Sequence, residues 1–85
     1  MPTISMFYGI IISMYYNDHN PPHIHVQYQG QKAIFDLEGN VLEGTFPKKQ
    51  SRLVVAWIEI HQESIAANWE LARSDQPLHK IDPLK

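Results

Sequence analysis

Two consecutive prolines inside the block Asp18-His19-Asn20-Pro21-Pro22-His23-Ile24-His25 constrain this chain more than any other feature. They hold φ near about −65° at two positions and withhold two backbone donors, so neither a helix nor a central strand runs through them. The chain must turn there, and an X–Pro bond in such a turn is a candidate for the cis form. Directly after the turn, His23 and His25 stand two apart at the start of an alternating segment. That spacing places both on one face of a strand. Three of the five histidines fall in this block, so a site or an interface is expected there.

The residues on either side read as short strands. Thr3 to Met6 and Ile10 to Tyr16 are apolar or β-branched runs separated by the turn Phe7-Tyr8-Gly9. Gln29-Gly30-Gln31-Lys32 and Glu38-Gly39-Asn40-Val41 each carry glycine at the first central position, as a two-residue hairpin turn requires. Pairing Gln29 with Lys32 sets Tyr28 opposite Ala33, Val26 opposite Phe35 and Ile24 opposite Leu37. Pairing Glu38 with Val41 sets Leu37 opposite Leu42, Phe35 opposite Gly44 and Ala33 opposite Phe46. Both turns collect apolar residues on one face, which supports the register.

The second half reads as a single long amphipathic helix from Pro47 or Lys48 to about Arg73, with Pro77 beyond its end. Val54, Trp57, Ile58, His61, Ile65, Trp69 and Ala72 recur at helical spacing. The tail from Pro77 to Leu84 is extended by its prolines and carries apolar residues that can dock. The expected fold is α+β and one domain over residues 1–85. It is an antiparallel β-meander of about five short strands, with one long helix on the face of Ile24, Val26, Phe35, Leu37, Leu42 and Phe46.

Composition narrows the function classes. The chain has 85 residues and no cysteine, which excludes disulfides, thiolate metal sites and cysteine nucleophiles. A formal net charge of −2 argues against broad sequence-independent binding to nucleic acid. No apolar run is long enough to span a bilayer, and the first residues lack the pattern of a signal peptide, so a cytoplasmic location is expected.

The outward strand face carries the candidate chemistry. The register sets His23 across from Glu38, His25 across from Asp36, and Asp36 across from Glu43. Two carboxylates facing each other cost stability unless a cation or a protonated imidazole stands between them. His23, His25 and Asp36 are therefore candidate proton-transfer residues. His23 and His25 with Glu38 and Glu43 are candidate ligands for a divalent metal, although no obligatory cofactor is implied. The competing reading is a solvated polar sheet face with ordinary ion pairs. Lys48, Lys49 and Arg52 place cations at a helix N-terminus, where they oppose the helix dipole and form a candidate anion site for phosphate or an RNA backbone. His61 reads as a hydrogen-bonded histidine at the core edge.

A resemblance adds to this reading. Met1-Pro2-Thr3-Ile4-Ser5, Phe7-Tyr8-Gly9, Met14-Tyr15, the block Asp18 to His25, Asn68-Trp69-Glu70-Leu71-Ala72 and the proline-rich tail are similar to a family of short bacterial proteins. That family is classed only as a domain of unknown function. The resemblance implies an arrangement in which such a protein is encoded beside a second short protein, like a toxin–antitoxin pair. It implies no catalytic residues. The expected function is one component of such a two-protein module, with RNA as a target. The alternatives are a non-catalytic interaction module and a small divalent-metal protein using the histidine cluster. The expected partner is the co-encoded protein or a second copy of the chain, bound through the first strand, the helix or the tail.

Overall fold

The protein is described by a computed structural model covering residues 2–85; Met1, which opens the motif above, lies outside the described residues. Five strands, β1 (Thr3–Phe7), β2 (Ile10–Ser13), β3 (His23–Tyr28), β4 (Gln31–Asp36) and β5 (Val41–Gly44), form an antiparallel meander in chain order. Two helices follow, α1 (Lys48–Ile60) and α2 (Gln62–Arg73). One face of the sheet buries Ile10, Ile12, Ile24, Val26, Ala33 and Phe35 in a common core with Val54, Trp57, Ile58, Ile65, Trp69 and Ala72 of the helices. Among the described residues, no helix covers the other face.

The expected single long helix is not formed. His61 leaves helical geometry at φ −112° and ψ 23°, and it separates α1 from α2. Length explains why. A straight helix over residues 48–73 would run about 39 Å, longer than the 33 Å long axis of the molecule. Bending at His61 keeps Trp57 and Trp69 both buried against the sheet. The joint is tied at both ends, since His61 N–H donates to the Trp57 carbonyl and Ile65 N–H donates to that of His61. The Gln62 amide donates to the Leu37 carbonyl at 2.9 Å, fastening the start of α2 to the sheet. His61 itself is half-buried, its ring 5.7 Å from that of Trp57. α2 ends in a Schellman motif: Asp75 takes φ +61°, and Gln76 N–H reaches back to the Leu71 carbonyl.

The hairpin registers also differ from the expected ones. The β3–β4 turn is Gln29-Gly30, both at positive φ, so Tyr28 pairs with Gln31, Val26 with Ala33 and Ile24 with Phe35. The pairing therefore slides by two residues. A two-residue slide preserves the inward and outward faces, so the core assignment of β3 and β4 holds although the partners change. His25 faces Ile34, not Asp36, and His23 faces Asp36, not Glu38. Between β4 and β5 the register shifts at Ile34/Phe35, which sets Glu43 across from Ile34 and Val41 across from Phe35. The Asp36–Glu43 opposition does not arise. Leu42 is 46 % exposed and Phe46 half-buried, so Leu42 is not under the helices.

Asp36 organises the β4–β5 turn instead. Its Oδ1 accepts from the backbone N–H groups of Glu38 and Asn40, and its Oδ2 from the Asn40 amide. Burial opposes the carboxylate, but these donors outweigh it and hold the Asp36 carboxyl below its ordinary 3.8.

The tail docks as an extended strap. The buried Asn68 amide donates to the His79 carbonyl and accepts its N–H. Trp57 Nε1 donates to the Asp82 carbonyl at 2.8 Å. Ile4 is skipped in the β1–β2 pairing, and its carbonyl accepts from Ile81 N–H. The tail thus occupies part of the outer edge of β1.

Asn68→Ala is expected to destabilise the fold by about 2 kcal/mol, because it leaves backbone groups of the strap unpaired. Limited proteolysis should then cut after residue 73 well before global unfolding; unchanged protection would overturn this account of the strap. Asp36→Ala is expected to cost about 1 kcal/mol at neutral pH. A carboxyl depressed in the folded state contributes fully above its unfolded value, and the contribution is lost as pH falls through the folded one. The gap between the two proteins in urea unfolding should therefore narrow below pH 3.8. A gap independent of pH would show that the charge plays no part.

Candidate functional site

The site is built by the loop between β2 and β3. Asn17 sits at φ +54°, and its N–H donates to the Ala72 carbonyl near the end of α2, which anchors the loop just before Asp18. The Asn20–Pro21 bond is cis. The two prolines return the chain to β3, so that His19 approaches His23 with ring centroids 5.5 Å apart.

Asp18 is the centre of the cluster. Its Oδ2 lies 2.8 Å from His23 Nε2 and 3.3 Å from His25 Nε2. Its Oδ1 accepts from His19 N–H at 2.9 Å and lies 3.0 Å from His19 Nδ1. Burial raises the Asp18 carboxyl pKa, but the His19 N–H and the His25 and His23 rings more than offset it, and the group stays below its ordinary 3.8.

The three histidines stand in different environments. His23 is 3 % exposed and packs against Trp69, with ring centroids 5.1 Å apart. Its Nδ1 lies 2.7 Å from the Pro21 carbonyl, which has no proton to give, so Nδ1 donates. Nε2 then either donates to Asp18 or turns a lone pair toward it. The His25 side chain is 24 % exposed and stacks on Tyr15 at 4.1 Å. The His19 side chain is 86 % exposed.

His25 also borders a trough of about 230 Å³ on the uncovered face of the sheet. Ile11 and Ile34 form apolar parts of its lining, with Tyr15, Lys32 and Glu43 around them. Neither Lys32 nor Glu43 pairs with an opposite charge among the described residues.

The structure brings together only part of what the sequence proposed. His23 and His25 converge as expected from their strand spacing. Asp36 is committed to its own turn, although its Cα pairs with that of His23. Glu38 is exposed beyond the end of β4, and Glu43 lies across from Ile34; neither makes a polar contact with the histidines among the described residues. Lys48, Lys49 and Arg52 are exposed on the first turns of α1, and among the described residues no hydrogen bond, ion pair or cavity joins them to the cluster. The carboxylate that sequence reasoning missed as a site residue is Asp18. Its signal was in view, since an aspartate just before a double-proline turn is carried back to the strand that leaves the turn.

A five-stranded meander with helices on one face and a histidine–aspartate cluster at the start of its central strand defines a small α+β domain. A family model described as a domain of unknown function, DUF4160, matches residues 9–70, and the chain belongs to that family. No curated protein and no solved structure matches the chain.

His23→Ala is expected to cost about 2–4 kcal/mol, since it opens a cavity beside Trp69 and strands the Pro21 carbonyl. His25→Ala, at the rim, should cost about 1 kcal/mol or less. Urea unfolding of both variants checks this ordering. Equal losses would mean that the two rings are equally structural.

Proposed function

We propose that this protein is one component of a two-protein module, and that it receives an extended segment of a cognate small protein on the β5 side of the sheet. The observation that carries the reading is the asymmetry of the two sheet edges. The outer edge of β1 is partly taken by the tail through the Ile81–Ile4 bond. β5 is exposed along its length, with Val41 48 % and Leu42 46 % accessible, and neither lysine nor proline interrupts it. An open edge of this kind is a template for strand addition, with main-chain hydrogen bonds giving affinity and side-chain pockets giving specificity. The trough beside it runs from Glu43 and Gly44 to Tyr15 and His25, and it offers an apolar lining with one cation and one anion that are unpaired among the described residues. The toxin–antitoxin-like gene arrangement implied by the resemblance supplies the class of partner. No helix among the described residues is long and apolar enough to cross a membrane.

RNA is the second reading, and the observation that favours it is the orientation of His25 by Asp18 beside the trough. Metal-independent RNA cleavage needs a base, an acid and cations for the developing phosphorane charge. The cations of α1 make no described contact with His25, and the net charge is −2, so the interaction reading is preferred.

Co-expression with the product of the adjacent short gene should give a stable complex. Leu42→Lys or Glu43→Pro should weaken that complex at least tenfold while leaving the circular dichroism unchanged. Light scattering separates a heteromeric complex from a homodimer, and growth assays with and without His25→Ala test the RNA reading. A chain that ignores its gene neighbour, or a complex indifferent to both β5 substitutions, would overturn the proposal.

A further inference from the structure

We propose that Asp18 Oδ2, His23 Nε2 and His25 Nε2 form a three-ligand site for a divalent transition metal, with zinc the best match. The three donor atoms lie within 4.8 Å of one another. Both imidazole nitrogens already converge on one carboxylate oxygen, at 2.8 and 3.3 Å. Tetrahedral ligands at zinc bond lengths of about 2.0–2.1 Å are separated by about 3.3 Å. The His25–Asp18 separation already matches that spacing, and the His23–Asp18 separation has to open by about half an ångström.

The hydrogen bond behind His23 points the same way. Nδ1–H is held by the Pro21 carbonyl at 2.7 Å, so in the neutral ring the lone pair belongs to Nε2. A metal-ligating histidine commonly donates its other ring N–H to a backbone carbonyl, which fixes both tautomer and ring orientation. In that neutral form the lone pair of a 3 % exposed ring would face a carboxylate oxygen, and a cation between them, either a proton or a metal, resolves the repulsion. Ring packing holds the donors in place, His23 against Trp69 and His25 stacked on Tyr15.

Two imidazoles and one carboxylate, with no thiolate in the chain, suit zinc, nickel or cobalt better than the oxygen-seeking calcium and magnesium. The carboxylate ligand is Asp18, and neither Glu38 nor Glu43 takes part. His19, bonded to Asp18 Oδ1, supports the carboxylate from the solvent side. Three protein ligands leave a position for water or an incoming donor.

The test uses the full chain, stripped of metal and without any partner, so its outcome does not depend on the two-protein reading. Titration with zinc chloride should show one equivalent bound. At a hundredfold excess over the dissociation constant, the folded-to-unfolded ratio should rise about a hundredfold. Cobalt should give the visible absorption of a tetrahedral site. Asp18→Asn and His25→Ala should each weaken zinc at least tenfold, while His61→Ala and His79→Ala should leave it unchanged. If the site variants fail to fold, long-range imidazole ¹H–¹⁵N spectra of the wild-type chain decide, since zinc should shift the Nε2 signals of His23 and His25 first. No stoichiometric binding, binding that survives both site substitutions, or shifts confined to His61 and His79 would overturn the proposal.

Discussion

The structure depends on burying two indoles, Trp57 and Trp69, against one face of a thin sheet. A chain of this length encloses a small core, so most of its stability must come from a few large side chains. That requirement shapes everything around it. The helical half breaks at His61, where an unbroken helix would be longer than the molecule's long axis. The tail returns across the helices because Trp57 Nε1 needs a buried acceptor and finds the Asp82 carbonyl. Asn68, fully enclosed beside Trp69, uses its amide to hold the strap at His79.

The histidine cluster is an extension of this core. His23 has the strand parity of an outward residue, yet it lies against Trp69 and is as enclosed as the apolar residues around it. An enclosed imidazole must have its nitrogens satisfied. The proline turn supplies a carbonyl to one and brings Asp18 to the other. The same loop is pinned to the end of α2 through Asn17, so helix, turn and strand fix the site jointly. A preorganised cluster follows from packing that the fold needs in any case.

Much of the architecture was legible in the sequence. The two glycine-containing turns and the alternation around them gave the meander and the correct inward faces of β3 and β4. The partners were misassigned because Gln29 at φ +46° takes the first turn position that was expected of Gly30. A side chain in left-handed conformation leaves no local mark in composition. The helix break was illegible for a different reason, since no helix-breaking residue marks the non-helical geometry at His61. Asp36 looked chemical because the assumed register faced it with Glu43; in the true register it is a turn carboxylate with three local donors. Asp18 was passed over in the opposite circumstance, although the proline turn beside it was in view. It lies outside every strand, and strand periodicity gives no place to a loop residue.

His25 joins the two surfaces to which a role has been given. Its Nε2 faces Asp18, and its ring borders the trough that runs to β5. A cation at the cluster would fix the ring that a bound segment meets, and a bound segment would restrict the ring that the cation needs. Linkage makes any such effect reciprocal: whatever factor metal contributes to partner affinity, the partner contributes to metal affinity. The stacking of His25 on Tyr15 sets the scale, because a ring already held at 4.1 Å has little freedom left to lose. Coupling through ordering alone should therefore be small. A large coupling would require direct ligation, with a donor of the partner segment taking the coordination position that three protein ligands leave open.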